Sequence, residues 1–140
     1  MSYESLSHSR FDCKYHVVFV PHCRKKLLFG KIREFLGKKF RELATQKGCR
    51  VIEGKTCLDH VHMMIEIPPK YAVSEVIGYI KGKSAIAVAR QFSGRKQNFN
   101  GEKLWARGYA VSTVGFNVEQ IRAYVKNQET LDDQFGSGSF

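Results

Sequence analysis

The segment Cys57-Leu-Asp-His-Val-His-Met-Met-Ile-Glu-Ile-Pro-Pro69 constrains the fold more than any other part of this 140-residue chain. Side chains of a strand alternate between faces, so residues two apart point the same way. Val61, Met63, Ile65 and Ile67 can therefore enter a core while His60 and His62 stand together on the opposite face. Pro68 and Pro69 end the strand, because proline offers no ladder donor. A strand apolar on one side must lie in a sheet with a layer packed over that side.

The surrounding pattern supplies the rest. Phe11 to Val20 predicts a strand with Cys13, Tyr15, Val17 and Phe19 on one face, ended by Pro21. Ile32, Phe35, Leu36, Phe40, Leu43 and Ala44 recur at helical spacing, predicting a helix from about Lys31 to Lys47, closed by Gly48. Cys49 to Cys57 reads as a second strand with a bend at Gly54, and the histidine strand follows. Ser74 is the expected N-cap of a helix reaching Phe92. Gly94 to Lys103 reads as a polar loop, and Leu104 to Thr113 as a fourth strand with Trp105, Arg107, Tyr109 and Val111 on one face. After Gly115, Asn117 caps a last helix to Leu131, with Gln120 at the capping-box position.

The expected order is β-α-β-β-α-β plus a C-terminal helix. That is α+β, the ferredoxin-like or RRM-like arrangement, with an antiparallel sheet and two helices on one face. The other face is left for a ligand or for the extra helix. Residues 1–140 form one domain, with 1–9 and 132–140 expected to be loose.

Charge narrows the partner. The chain carries 23 Lys and Arg against 13 Asp and Glu, a net +10. The excess is concentrated between His22 and Arg50, where ten basic residues face only Glu34 and Glu42. Such a block suits a phosphate backbone, although a solvated helix would show it too. The four cysteines have no Cys-x-x-Cys spacing, so reduced thiols and a cytoplasmic location are expected. No apolar run reaches transmembrane length, which argues against a membrane protein.

Two imidazoles at the His60–His62 spacing can clasp one divalent metal. Glu66 shares their parity, but four residues of strand set it roughly 13 Å from His62, too far to join them. Asp59 points the other way and reads as a local hydrogen-bonder. His16 could add a ligand from the neighbouring strand. Tyr124 and Gln128 lie one turn apart on a helical face. Tyr124 is either a partly buried core residue or a hydroxyl facing the imidazoles, with Gln128 lending an oxygen to the ion. Gly78 to Ser84 imitates a P-loop but is one residue short between its glycines and lies within a helix. Arg24, Lys25, Lys26, Lys81 and Lys83 remain as candidate phosphate contacts.

Four segments together resemble a known family: Cys57 to Pro69, Gly78-Tyr-Ile-Lys-Gly-Lys-Ser84, Trp105-Ala-Arg-Gly-Tyr109 and Tyr124-Val-Lys-Asn-Gln128. In order and spacing they resemble the single-tyrosine transposases of the insertion-sequence 200/605 family, within the His-hydrophobic-His nucleases. The resemblance runs from about Cys13 to Glu129. It implies a metal-dependent transesterase that cuts and rejoins single-stranded DNA at the ends of a mobile element. By the same resemblance His60, His62 and Gln128 hold a divalent ion such as Mg2+ or Mn2+, and Tyr124 is the nucleophile. It further implies recognition of hairpins and a homodimer whose active sites are shared between subunits. Two other readings stay open on the sequence alone. One is a non-catalytic RRM-like binder using charge with Tyr15, Trp105 and Tyr109. The other is a domesticated relative acting on dispersed genomic hairpins.

Overall fold

Two histidines and four apolar residues share one short strand, and the neighbours of that strand decide what each face meets. In the computed structural model, which describes residues 4–6, 9–11, 13–22, 30–92, 104–113, 118–128 and 137–140, it is β5, Val61–Glu66. On one side it pairs antiparallel with β3, Lys14–Phe19, placing His16 opposite Met64 and Val18 opposite His62. On the other it pairs with β4, Arg50–Cys57, placing Lys55 opposite His62. β6, Ala110–Ser112, continues the sheet beyond β3, and β7, Ser137–Ser139, beyond β4. The strand order β6-β3-β5-β4-β7 is the ferredoxin-like topology with one added edge strand.

Two helices cover the apolar face. α1, Gly30–Gln46, buries Leu36, Phe40, Leu43 and Ala44 of the predicted stripe together with Gly37, while Ile32 and Phe35 are partly buried at its edge. α2, Val73–Phe92, buries Val76, Ile77, Ile80, Ala85, Val88 and Phe92. Val17, Phe19, Val61, Met63, Ile65 and Ile67 meet them from the sheet, each no more than 1% exposed. Phe19 stands edge-on to Trp105 at 4.8 Å and to Phe40 at 5.8 Å, the offset that the quadrupoles of aromatic rings favour. The third helix, α3, spans Val118–Gln128.

Several local expectations need correction. The strand predicted from Phe11 is two pieces: β2, Ser9–Phe11, folds back on β1, Glu4–Leu6, and only Lys14–Phe19 joins the main sheet. Residues 4–6, expected to be loose, are therefore paired. Ser74 is not the N-cap of α2; the helix begins at Val73, with the Ala72 carbonyl accepting from Glu75 and Val76. The bend in β4 falls between Val51 and Glu53 rather than at Gly54, which pairs regularly with Met63.

The fourth strand shrinks to three residues because Gly108 takes a φ of 86°, a left-handed conformation incompatible with an extended ladder. Trp105 instead forms an isolated bridge with Pro21, and Arg107 is exposed while Trp105 is buried. The tail is not loose throughout. Phe140 exchanges both backbone bonds with Gly54 at 2.8 and 3.0 Å, and its ring lies 5.2 Å from Phe40. Gly54 and Gly37 make room for it, since a Cβ on either would overlap Phe140. The expected loop over 94–103, the Asn117 cap and the block Arg24, Lys25 and Lys26 lie outside the described residues.

Candidate active site

The open face of the sheet gathers imidazoles. His62 sits within β5, and His60 immediately precedes it after a bend at Leu58 and Asp59. The Cys57 amide closes that bend by donating to the His60 carbonyl at 2.8 Å. Asp59 keeps its expected local role and more: its Oδ1 lies 3.0 Å from His60 Nδ1. A carboxylate on one ring nitrogen fixes the orientation of an imidazole and directs the other nitrogen elsewhere, the support metal-binding histidines usually receive.

His62 has a partner of another kind. Nδ1 of His16, on β3, stands 3.2 Å from His62 Nε2, with the ring centroids 5.4 Å apart. The sequence placed His16 on a neighbouring strand but gave no register; pairing with Met64 sets it diagonal to His62. Among the described residues, no three His, Cys, Asp or Glu side chains gather to hold an ion. His16 is thus the neighbour of His62 rather than the third corner of a ready-made triad.

Electrostatics separate the two histidines of the motif. Burial pulls His60 down, but hydrogen bonds and charge from Asp59 and Cys57 outweigh it and raise its pKa to about 9. His62 moves the other way, lowered by burial and by the positive neighbours His16 and His60. A ligating imidazole must be neutral, so an ion at His60 would have to displace the proton that Asp59 and Cys57 favour. Glu66 is engaged elsewhere, with Arg50 at 3.0 Å and Lys14 at 3.7 Å, in keeping with its expected distance from the pair.

Tyr124 lies on α3 and is half-buried, and its hydroxyl is enclosed with no hydrogen-bond partner among the described residues. Burial raises its pKa above that of an ordinary phenol. Gln128 is the last residue of α3. Ile121, Tyr124 and Val125 are partly buried on α3, whereas Arg122, Ala123 and Lys126 are exposed. The histidine half of the predicted site belongs to the sheet, and the tyrosine half to α3.

The candidate phosphate contacts divide. Lys81 turns inward: its Nζ donates to the Ala106 carbonyl at 2.8 Å and to that of Gly108, and burial draws its pKa down to about 8. It ties α2 to the turn after Trp105, whose indole bonds the Ser84 hydroxyl at 3.0 Å. Lys83 stays exposed, its Nζ 5.9 Å from the Tyr79 ring. Within the basic block, Arg41 donates to the Val51 carbonyl at 3.0 Å and Lys39 meets Glu42 at 2.7 Å, leaving Lys38 among the exposed charges.

A ferredoxin-like sheet with paired histidines on its open face and a tyrosine on an appended helix is the layout that the four sequence motifs implied. Comparison with known proteins agrees. The family described as "Transposase IS200 like" matches residues 9–128. The transposase for insertion sequence element IS200 of Salmonella typhimurium is 43% identical over 125 residues, spanning 89% of this chain and 82% of that one. The ISDra2 transposase TnpA of Deinococcus radiodurans is 29% identical over 119 residues, spanning 84% and 85%. Among solved structures, a transposase candidate from Deinococcus radiodurans R1 superposes with a TM-score of 0.81 at 24% identity, over 91% of this chain and 99% of that one. A REP-associated tyrosine transposase bound to a REP hairpin gives 0.53 at 16% identity, over 91% and 70%. The chain belongs to the IS200-like transposase family, and it is an enzyme of that class. No helix among the described residues is long and apolar enough to cross a membrane.

Proposed function

We propose that this transposase cuts and rejoins single-stranded DNA at the ends of a mobile element through a covalent 5′-phosphotyrosine. The observation that carries the reading is the pairing of His60 and His62 on the open face, with Asp59 bracing the first ring, in a chain whose Tyr124 rides a separate helix. His60, His62 and the Gln128 amide would hold a divalent ion, Mg2+ or Mn2+. When bound, such an ion supplies Lewis-acid polarisation of the scissile phosphate.

Tyr124 Oη attacks the phosphorus, and the bond from phosphorus to the 3′-oxygen breaks. The 3′-oxygen departs with the electron pair and gains a proton, leaving a free 3′-OH. In the reverse step a 3′-OH attacks the phosphotyrosine and phenolate leaves. A phenol has a pKa of about 10, far below an alkyl alcohol, so that departure is easy and the phosphodiester energy is conserved. Burial keeps Tyr124 a protonated phenol, so its proton must leave as Oη attacks, while the departing 3′-oxygen takes one up.

The relatives' names and the hairpin held by the REP-associated neighbour support DNA hairpins as substrate. The resemblance of the four motifs supports a homodimer in which the helix of one subunit serves the histidines of the other. The cytoplasm, where the nucleoid offers single strands, is the expected place of action. Incubation with a hairpin-bearing single strand should yield a protein–DNA adduct that survives denaturant, and Tyr124→Phe should yield none. An adduct of undiminished yield from the phenylalanine variant would move the nucleophile elsewhere and end this reading.

A further inference from the structure

The two histidines of the motif are braced by different means. Asp59 holds His60 by Nδ1, whereas His62 meets an imidazole from another strand, His16 Nδ1 against His62 Nε2 at 3.2 Å. At that separation two ring nitrogens share one proton, one donating and the other accepting. Both strands are fixed: β3 and β5 pair along six successive residues, from Lys14 opposite Glu66 to Phe19 opposite Val61. The backbone beneath both rings is held by ladder bonds, so the fold fixes the two positions that bring the rings together.

We propose that His16 is a positioning residue of the active site, holding the His62 ring through Nδ1 in the orientation that metal capture requires. This rests on the reading of His60 and His62 as the metal-binding pair. A partner on the far nitrogen of a ligating histidine fixes ring rotation and tautomer, and losing it costs about tenfold to a hundredfold in metal affinity. His16 lies far from the motif in sequence, and its tie to the site exists only through the β3–β5 register. The contact does not need His16 itself to touch the ion or the DNA.

The identity of the contacting atom gives the test its edge. The amide of asparagine stands in for Nδ1 of histidine, at the same distance from the backbone, whereas phenylalanine keeps the ring and removes every polar atom. Binding of Mn2+ alone, followed by the loss of its free electron-paramagnetic-resonance signal, should weaken about tenfold or more in His16→Phe and recover most of the way in His16→Asn. A role in packing alone predicts the opposite order. His60→Ala, measured beside them, separates the two claims. If His60→Ala loses Mn2+ while His16→Phe binds like the wild type, the positioning role is wrong and the metal pair stands. If His60→Ala also binds like the wild type, the metal pair itself is wrong.

A second measurement needs no metal and no loss of folding. Nitrogen-15 spectra of the imidazoles in the unaltered, metal-free protein should show His62 in a single tautomer. A mixture of tautomers there would overturn the proposal.

Discussion

The centre of the sheet and the last helix are built on opposite terms. β5 is hydrogen-bonded on both flanks and its apolar residues are sealed under α1 and α2, so His62 inherits the rigidity of the core. Among its described residues α3 buries none fully: Ile121, Tyr124 and Val125 are partly buried, and among the described residues the tyrosine hydroxyl has no polar partner. The two histidines thus stand on the buried centre of the sheet, and the tyrosine on the appended helix. On the mechanism proposed above, the contrast would let the sheet hold the scissile phosphate still while the helix brings the nucleophile. Motions of that kind draw on weakly packed elements.

The contrast breaks most visibly if the histidines are removed. His60→Ala combined with His62→Ala should take metal-dependent cleavage to background while leaving salt-sensitive DNA binding near the wild-type level, since phosphate contacts come from elsewhere. Cleavage assays beside salt-titrated binding curves check both halves. Residual cleavage at wild-type rate would mean that the fixed half of the site lies elsewhere on the sheet.

A smaller but more telling effect follows if α3 is delivered between subunits. Tyr124→Phe and His62→Ala proteins, each inactive alone, should regain about half the activity of a wild-type dimer in verified heterodimers, because one of two composite sites is intact. Differently tagged chains establish that the heterodimers exist. Silence from such heterodimers would place helix and histidines in the same chain.

How much of this could be read in the sequence follows the same division. The alternation in Val61, Met63, Ile65 and Ile67, and the helical stripe from Leu36 to Ala44, announced the sheet and its cover because burial repeats with the period of the backbone. Short elements gave no such signal. β1, β2 and β7 are three residues each, too brief for a period, and exist because a partner strand was available. The break at Gly108 is a matter of one φ angle, invisible among the apolar residues around it. The start of α2 was misread at Ser74 because a good capping residue can equally sit inside a first turn. At the candidate site, the local hydrogen-bonding of Asp59 was legible from adjacency, whereas the strand expected to carry both histidines begins only at Val61, leaving His60 just before it. The closeness of His16 to His62 was not, because it depends on strand register, which no local pattern encodes.

The smallest effect concerns Lys81, where sequence and structure assign different work. As a phosphate contact it would contribute about one unit to the logarithmic salt dependence of DNA binding. Turned inward onto the Ala106 and Gly108 carbonyls, it should instead contribute to stability, about 1–2 kcal/mol for the bonds it makes. Lys81→Met keeps the apolar stem and removes the donors, so it should lower Tm by roughly 3–8 °C and leave the salt dependence unchanged. The pH dependence has a definite sign. Burial draws the folded ammonium to about 8, below its unfolded value near 10.5, so the folded state binds fewer protons across that interval. Stability then rises with pH through the interval, and the penalty of burying the charge is fully present below pH 8. The variant lacks that titration, so the gap in Tm between wild type and Lys81→Met should widen from pH 7 to about pH 9.5. A gap that stays constant, together with a flatter salt dependence, would return Lys81 to the DNA and leave the turn at Gly108 held by Trp105 and the Pro21 bridge alone.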